Sequence, residues 1–383
     1  MIDFSTIRQY NFPTVIRFGA GAIAELPGHL AANGLSRPLL VTDPMVAQLS
    51  FFQKIRQALE GKGISVEVFS DIHKNPVKTD VLKGGEAYAA AGRDSVIGIG
   101  GGAAMDVARA VVLRVHHRRD LFDYDDLIGG DQYVTEEVPY FITVPTTAGT
   151  GSEVGRSAII SEDDTHRKRI LFSPKLLARI VFADPVLTME LPPFVTAATG
   201  MDALTHNLEA YLAKMFHPMC EGIALEGVDL INGSLAQAVQ RPDLESRSRM
   251  LLGSLMGAVA FQKGLGVVHS LAHPLSSLLD THHGLANAVN LPYGMRFNIG
   301  GSEEKFRRIA QVMGLNRHDG DAVVERLFAF NKEVGLPVRL RDIGVREDHI
   351  ETLADLAFAD FAHPNNPKPV GREDFKKLYK EAL

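Results

Sequence analysis

The chain has 383 residues, of which 45% are hydrophobic and 22% charged, the ordinary composition of a globular protein. This length predicts about two domains. The net charge of −6 provides no basic surface for nucleic acid or an anionic membrane. The single cysteine, Cys220, excludes an intrachain disulfide and a thiolate metal cluster. It is expected to be a buried apolar residue in a reducing cytoplasm.

Neither a targeting segment nor a membrane span is expected. The N-terminus lacks a basic start followed by an apolar run, so no signal peptide is predicted. The most apolar helical stretch, residues 250–261, is too short to cross a membrane and contains Gly253 and Gly257. We therefore predict a cytoplasmic protein without a membrane or nucleic-acid partner.

Strand and helix patterns alternate in the first half of the chain. The predicted strands are residues 13–19, 38–43, 65–69, 95–100 and 139–145. The predicted helices between them are residues 23–32, 52–62, 77–92 and 105–116. This alternation, with strands that are apolar throughout, is typical of a parallel sheet covered by helices on both faces.

The second half is predicted to be helical. Helical patterns cover residues 196–213, 219–238, 243–261, 265–279, 303–313, 320–334, 347–361 and 372–382. Prolines at Asp184-Pro185 and Leu191-Pro192-Pro193 mark the change of character. We therefore predict an α/β domain over residues 1–188 and an all-α domain over residues 189–383.

A glycine-rich loop follows the predicted strand 95–100. Residues 98–103 match Gly-x-Gly-x-x-Ala, in which glycines let backbone N–H groups approach a pyrophosphate at a helix N-terminus. A tight turn is an equally good explanation. No acid is well placed about 20 residues later, as the usual Rossmann pattern requires. The best candidate for a ribose contact, Asp43, lies upstream instead.

The segment after the last predicted strand is dense in hydroxyl groups and glycine. It reads Pro-Thr-Thr-Ala-Gly-Thr-Gly-Ser-Glu over residues 145–153. Ligands of α/β proteins bind at the carboxyl ends of parallel strands. This position favours a ligand-binding loop, with a solvated Ser/Thr loop as the alternative.

Aspartate and histidine at helical spacing form a candidate metal site. Asp202 and His206 are four residues apart in a predicted helix and therefore share one face. Four histidines follow within a short span: His269, His273, His282 and His283. One carboxylate with imidazoles and no thiolate suits Zn²⁺, Fe²⁺, Ni²⁺ or Mn²⁺. The residues alone leave four histidines for two or three ligand positions.

Taken together, these motifs resemble the iron-containing (group III) alcohol dehydrogenase family. Four motifs match in order: residues 100–102 with Asp106, residues 145–154, residues 200–209 and residues 264–287. Shorter matches at Asn75-Pro76, Asp184-Pro185 and Asn366-Pro367 extend the resemblance over nearly the whole chain. It implies a Rossmann-like dinucleotide-binding domain (1–188), a helical metal-binding domain (189–383) and an active site in the cleft between them.

The resemblance also implies a ligand set. The family's metal ligands fall on Asp202, His206, His269 and His283. Its further histidine, beside the metal and the nicotinamide, falls on His273, and His282 remains outside. The expected ion is Fe²⁺, with Zn²⁺ as the alternative.

For the cofactor, the resemblance places Asp43 on the adenosine ribose. A carboxylate there would repel a 2′-phosphate, so NAD is expected rather than NADP. The other cofactor positions of the family fall on Asn75, Gly101, Gly102, Asp106, Thr146, Thr147, Thr150 and Lys168. For Lys168 there is an alternative, because residues 166–169 could form only a solvated basic turn.

The implied reaction is hydride transfer between NAD and a small primary alcohol, diol or hydroxy acid, with His273 relaying the released proton. The nearest alternatives are a glycerol-dehydrogenase-like zinc enzyme and a dehydroquinate-synthase-like lyase. A metal hydrolase of the His-Asp type is the alternative from another class. A homodimer or larger homo-oligomer is expected.

Departures from the family pattern cluster around the expected substrate pocket. Gly155, followed by Arg156, replaces the usual threonine, residues 261–264 are one residue short, and Ala362 stands at a substrate-wall position. If Arg156 and Lys263 face the pocket, they would bind a substrate carboxylate. The preferred interpretation is that both are solvated surface charges.

Overall fold

The structure is a computed structural model that describes Phe12 and residues 14–383. The opening residues, on which the signal-peptide prediction rests, lie outside the described part. The chain divides into two compact units. An α/β unit runs up to Thr147 and continues over Gly151–Glu190, and a helical unit contains Ala148–Thr150 and Leu191–Leu383.

The α/β unit is built on a parallel sheet. Its strands are β1 Val15–Phe18, β2 Pro38–Val41, β3 Glu67–Phe69, β4 Ser95–Gly100, β5 Tyr140–Pro145 and β8 Ile180–Ala183. They lie in the order β1-β8-β5-β4-β2-β3, and all five pairings are parallel. Strands β6 Ser157–Ser161 and β7 Lys168–Phe172 form a separate antiparallel hairpin.

Helices cover both faces of the sheet, as the apolar strands predict. They are α1 Leu26–Ala32, α2 Ser50–Glu60, α3 Lys78–Ala90 and α4 Gly102–His116. Successive residues of a strand enter different cores. Val96 packs in one core with residues of α4, and Ile97 packs in the other core with residues of α1 and α2.

Strand β8 and the hairpin were not predicted. Strand β8 has only four residues and runs directly into Asp184-Pro185, so its apolar run was hidden by the adjoining turn signal. It is nevertheless a central strand, lying between β1 and β5. The hairpin pairs short segments around the charged turn that contains His166, where φ is +56°.

The helical unit is built around α5 Pro193–Leu212, of which nearly every residue is buried. The other helices are α6 Pro218–Asn232, α7 Leu235–Gln240, α8 Leu244–Ala260, α9 Val267–Leu279, α10 His283–Asn298, α11 Glu303–Val312, α12 Gly320–Glu333, α13 Ile350–Phe358 and α14 Arg372–Ala382. Among the described residues, no single helix is long and apolar enough to span a membrane. The pair Leu244–Lys263 and Val267–Leu279 would meet that test together, but it is bent by 107°.

Two details of the helical unit differ from the prediction. The predicted helix 219–238 is interrupted between α6 and α7 at Gly233 and Ser234. Helix α10 was missed, because it contains Pro292 and is buried around most of its circumference. A helix without a polar face shows no amphipathic period.

Candidate active site

The four predicted metal ligands lie together in the helical unit. Asp202 and His206 project from α5, His269 from α9 and His283 from the first turn of α10. One ligand atom from each residue lies within 4.8 Å of all the others. Three of the side chains are buried and that of His283 is partly exposed.

The spacing of these atoms fits one ion. Asp202 Oδ1 is 3.4 Å from His283 Nε2 and 4.0 Å from His206 Nε2. A tetrahedral ion with bonds of about 2.1 Å separates its ligand atoms by roughly 3.4 Å. Burial lowers the pKa of His206 to about 4, so this imidazole is neutral, as a metal ligand must be.

Asn287 identifies the point on which the ligand atoms converge. Its Nδ2 on α10 donates to Asp202 Oδ1 at 2.6 Å and lies 3.3 Å from His269 Nε2 and 3.1 Å from His283 Nε2. An N–H group carries partial positive charge, so three predicted ligands direct electron density to one position. A carboxylate with three imidazoles suits Fe²⁺ or Zn²⁺, and the residues present therefore fit such an ion.

Glu209 orients one of the predicted ligands. Its carboxylate accepts from His269 Nδ1 at 2.5 Å and from the backbone N–H of Val268 at 2.7 Å. Because an ionised carboxylate only accepts, the proton stays on Nδ1 and Nε2 presents its lone pair. Sequence reasoning gave Glu209 no role. The available signal was its place three residues after His206 on the same helix face.

His273 lies beside this group, one turn after His269 on α9. Its ring stacks against those of His283 at 5.5 Å and Phe361 at 5.3 Å between centroids. His282 has a different position: its Nδ1 accepts from the backbone N–H of Leu285 at 3.4 Å and caps α10.

The glycine loop of the α/β unit permits close approach to the backbone. Gly100 has φ of +150°, and a Cβ there would stand 2.7 Å from that of Ala104. A Cβ on Gly101 would stand 3.3 Å from the Thr147 side chain. No side chain caps α4 at Gly101, so the N–H groups that begin at Gly102 suit a phosphate. The loop thus fits a dinucleotide pyrophosphate.

Asp43 stands beside that loop, just after β2. Its Oδ1 accepts from the backbone N–H groups of Met45 and Val46, both at 2.9 Å. Its Oδ2 accepts no hydrogen bond from the described residues and would lie 3.5 Å from a Cβ on Gly100. One carboxylate oxygen is therefore available for a sugar hydroxyl.

Asp106, a predicted cofactor residue on α4, is bound into the α/β unit. Its Oδ1 accepts from Ser152 Oγ at 2.7 Å and Arg109 Nη1 at 3.3 Å, and its Oδ2 accepts from the Ile159 N–H at 3.1 Å. Burial raises its pKa despite these partners. Asp106 thus ties α4 to β6, and a direct contact with the cofactor stays a prediction.

Two of the three predicted threonines of the hydroxyl-rich segment lie next to the glycine loop. Thr146 follows β5 directly, is buried, and donates its backbone N–H to Gly100 O at 3.0 Å. Thr147 is the next residue and is close enough to restrict Gly101. Thr150 belongs to the short segment that groups with the helical unit.

Of the last two predicted cofactor residues, one is next to a residue that contacts the hairpin and the other belongs to it. Asn75 precedes α3, and the next residue, Pro76, accepts the Ser161 N–H at the end of β6 at 2.8 Å. Lys168 begins β7 and pairs with Ser161 across the hairpin. Their contacts with a nucleotide stay predictions.

The interpretation of Lys263 as a solvated charge is wrong. Its side chain is fully buried, and its Nζ donates to Tyr211 O at 2.8 Å and pairs with Glu221 at 2.9 Å. Glu221 also pairs with Lys305 at 2.9 Å. The reason is that Tyr211 lies in the last turn of α5, where backbone carbonyls attract positive charge.

Arg156 is neither fully solvated nor paired with an acid in the described chain. Its guanidinium lies 5.5 Å from the centre of the Phe172 ring, and burial lowers its pKa. No described carboxylate contacts it. It is therefore the one remaining cation of the two considered for a substrate carboxylate.

The α/β unit has a glycine loop at a helix N-terminus, and the helical unit has an Asp-His₃ group. Together they define a metal-dependent enzyme that uses a nucleotide cofactor. The chain belongs to the iron-containing alcohol dehydrogenase family. The family description "Iron-containing alcohol dehydrogenase" matches residues 13–185, and "Fe-containing alcohol dehydrogenase family, C-terminal" matches residues 196–383.

Similar proteins cover nearly the whole length of the chain. A 4-hydroxybutyrate dehydrogenase of Cupriavidus necator is 37% identical over 97% of this chain and 98% of its own. The crystal structure of a 1,3-propanediol oxidoreductase has a TM-score of 0.94 at 32% identity, covering 98% of this chain and 100% of its own. A sulfoacetaldehyde reductase of Bifidobacterium kashiwanohense, solved with NAD⁺, has a TM-score of 0.88 at 27% identity. The match covers 98% of this chain and 99% of the reductase.

These similarities confirm four predictions: the family, the fold, the enzyme class and the cofactors. The family is the one that the motifs resemble, and its structures share the predicted combination of a parallel α/β fold and a helical region. The predicted class, an alcohol dehydrogenase acting on a small molecule, is confirmed by the family and the named relatives. The expected cofactors, iron and NAD, agree with the family name and with the NAD⁺ complex of the reductase.

Proposed function

We propose that the protein is an NAD-dependent alcohol dehydrogenase and aldehyde reductase that binds Fe²⁺ through Asp202, His206, His269 and His283. The observation that carries the proposal is the approach of these four ligand atoms to within 4.8 Å of one another. Zn²⁺ is the alternative ion, since the same donors suit it.

An ion held by these four residues would supply Lewis-acid polarisation of the alcohol or aldehyde oxygen, and a bound nicotinamide would supply or accept the hydride. The chain holds and orients the groups around this chemistry. Burial of Asp202, His206 and His269 keeps water from their donor atoms, and Glu209 keeps the proton of His269 on Nδ1. His273 lies beside this group, and its Nε2 accepts the proton that the alcohol releases.

NAD is the proposed dinucleotide. Gly101 and Gly102 would receive its pyrophosphate at the N-terminus of α4, and Asp43 would accept a ribose hydroxyl with Oδ2. Support comes from Oδ2 of Asp43, which accepts no hydrogen bond from the described residues, and from the NAD⁺ complex of the similar reductase. The other proposed contacts are Asn75, Asp106, Thr146, Thr147, Thr150 and Lys168.

For the substrate we propose small primary alcohols, diols and hydroxy acids. The relative named 4-hydroxybutyrate dehydrogenase supports a hydroxy acid, and the relative named 1,3-propanediol oxidoreductase supports a diol. Arg156 would bind the carboxylate of an acid, since Lys263 is buried and already paired with Glu221. Substitution of Arg156 by Ala should then weaken turnover of 4-hydroxybutyrate but not of 1,3-propanediol. Equal effects on both substrates would exclude this role.

We also propose that the enzyme is a cytoplasmic homo-oligomer. The single cysteine is buried and therefore suits a reducing compartment. Light scattering of the purified protein tests the oligomeric state directly, and a monomer would contradict it.

The deciding experiment measures NADH formation by anaerobically prepared protein loaded with Fe²⁺ or Zn²⁺, or kept free of metal, with alcohols, diols and hydroxy acids. The matched variants are His283→Ala and His282→Asn, because asparagine preserves the helix cap. We expect His283→Ala to lose metal and turnover and His282→Asn to keep both. Full metal content in His283→Ala would refute the ligand set, and absence of NAD binding would refute the proposed function.

A further inference from the structure

We propose that Asp360 is a positioning residue that fixes the tautomer and the orientation of His273. The effect of this positioning on turnover rests on the proposed dehydrogenase function, whereas the tautomer of His273 can be measured without any activity. Asp360 lies in the loop after α13 and is far from His273 in sequence.

The first support is a direct hydrogen bond. His273 Nδ1 and Asp360 Oδ2 are 2.8 Å apart, and the two side chains are 16% and 9% exposed. A carboxylate accepts only, so this contact places a proton on Nδ1. In the neutral ring Nε2 then carries the lone pair, which can accept a hydrogen bond from a substrate hydroxyl or a water molecule.

The second support is that Asp360 is itself held in place. Its other oxygen, Oδ1, accepts from Ser270 Oγ at 2.6 Å and from the backbone N–H of Ala362 at 2.9 Å. Ser270 Oγ accepts the N–H of His363 at 2.9 Å. Ser270 and His273 are three residues apart on α9 and therefore share one helix face. Asp360 is hydrogen-bonded to both, so the loop is attached to this face by two side chains.

The third support concerns charge. Burial alone would raise the pKa of Asp360, but His273 and the hydrogen bonds to its oxygens outweigh burial and hold the pKa below its usual value. The carboxylate is therefore ionised at neutral pH and acts as a pure acceptor.

Packing limits rotation of the imidazole. The ring of Phe361, the residue after Asp360, stacks on His273 with a centroid distance of 5.3 Å and an angle of 29°. The His283 ring lies at 5.5 Å and 17°. The same loop thus provides both the hydrogen bond and one stacking surface, so Asp360 controls the direction in which Nε2 faces.

The test uses the full chain loaded with Zn²⁺, which is diamagnetic, and labelled with ¹⁵N-histidine. Long-range ¹H–¹⁵N spectra report which ring nitrogen carries the proton, and His273→Gln identifies the resonances of His273. We expect protonated Nδ1 in the wild type. In Asp360→Asn the amide can donate to Nδ1, so the proton should move to Nε2.

Kinetics separate this role from loop anchoring. Asp360→Asn should lower kcat about 10²-fold or more, with metal content and the KM for NAD unchanged, as expected for a wrongly protonated base. Ser270→Ala, the matched control, removes one of the two hydrogen bonds to Oδ1 but leaves the bond to Nδ1. It should keep the wild-type tautomer, and Asp360→Glu should recover part of kcat.

Three results would overturn the proposal: a wild-type His273 protonated on Nε2, an Asp360→Asn protein with unchanged tautomer, or a changed tautomer with kcat within twofold of wild type. Equal kcat losses in Ser270→Ala and Asp360→Asn, with the tautomer unchanged in both, would assign Asp360 to the loop alone. A wild type that binds metal but shows no dehydrogenase activity would refute the proposed function, while the tautomer measurement would still decide the role of Asp360.

Discussion

Glu209 on α5 and His269 on α9 are joined by a 2.5 Å hydrogen bond between side chains that are each 1% exposed. The bond to Nδ1 orients His269, a predicted metal ligand, so that its other ring nitrogen, Nε2, faces the metal site. Glu209→Gln should keep the contact with the Val268 N–H but lose the charged acceptor. We expect metal affinity to fall about 10- to 100-fold, measured by competition with a chelator. Glu304→Gln, on the exposed face of α11, is the control, and equal affinities in the two variants would contradict the role of Glu209.

Gly284 allows α10 to approach α5. A Cβ at Gly284 would stand 2.4 Å from the backbone oxygen of Ala198, so α10 would have to shift together with His283. Gly284→Ala should lower the free energy of unfolding by about 1–3 kcal/mol and weaken metal binding. Gly222→Ala has open space around its new methyl group and should be neutral or stabilising. Urea denaturation of both variants measures their free energies of unfolding. Equal stability of Gly284→Ala and Gly222→Ala would contradict the role of Gly284.

Glu153 should make stability depend on pH. Burial raises its pKa to about 7, and its Oε1 has no hydrogen-bond partner among the described residues. In the unfolded chain a glutamate titrates near about 4.3, so between these values only the folded protein keeps the proton. Stability from this group is therefore full below the unfolded pKa and is lost as pH rises through about 7.

Glu153→Gln removes this titration. Relative to wild type, the variant should gain up to about 3 kcal/mol of stability between pH 4.5 and pH 8. Urea midpoints across that range measure the difference, with Glu60→Gln on the exposed face of α2 as control. A constant difference between Glu153→Gln and wild type over the whole range would show that Glu153 titrates normally.

Asp43 should determine cofactor choice. Asp43→Asn keeps an acceptor for the Met45 and Val46 N–H groups but removes the charge that would repel a 2′-phosphate. The ratio of kcat/KM for NADP to that for NAD should rise about tenfold or more, since a unit charge a few ångströms away is worth on the order of 1–4 kcal/mol. An unchanged ratio would place the ribose elsewhere.

How far sequence alone can go is clear from the metal group. The spacing of Asp202 and His206 predicted a shared helix face, because helical periodicity converts sequence distance directly into geometry. Which of the later histidines join them depends on how α9 and α10 pack on α5. That choice came from the family resemblance, not from the spacing.

The partners of these residues could not be predicted in this way. Asn287, on α10, contacts three predicted ligands. This helix was missed because it contains Pro292 and is buried on most sides, so its sequence shows no amphipathic period. Asp360 meets His273 only after the loop following α13 has packed on α9. Such contacts depend on tertiary packing between distant segments and have no local signature.

The interpretation of Lys263 failed for a related reason. A lysine after a glutamine in a short loop resembles a surface residue, and burial becomes evident only with the end of α5 and Glu221 in place. The strands β2, β4 and β5 were predicted well, because residues buried on both faces of a sheet form continuous apolar runs.

The predicted ligands come from three helices, α5, α9 and α10, so an ion bound there would act as a cross-link between segments far apart in the chain. By mass action, such an ion adds RT ln(1 + [L]/Kd) to the free energy needed to open these helices. Metal supply would therefore set the lifetime of the protein as well as its turnover. Without the ion, amide hydrogens at the start of α10 should exchange faster than in the metal-bound protein.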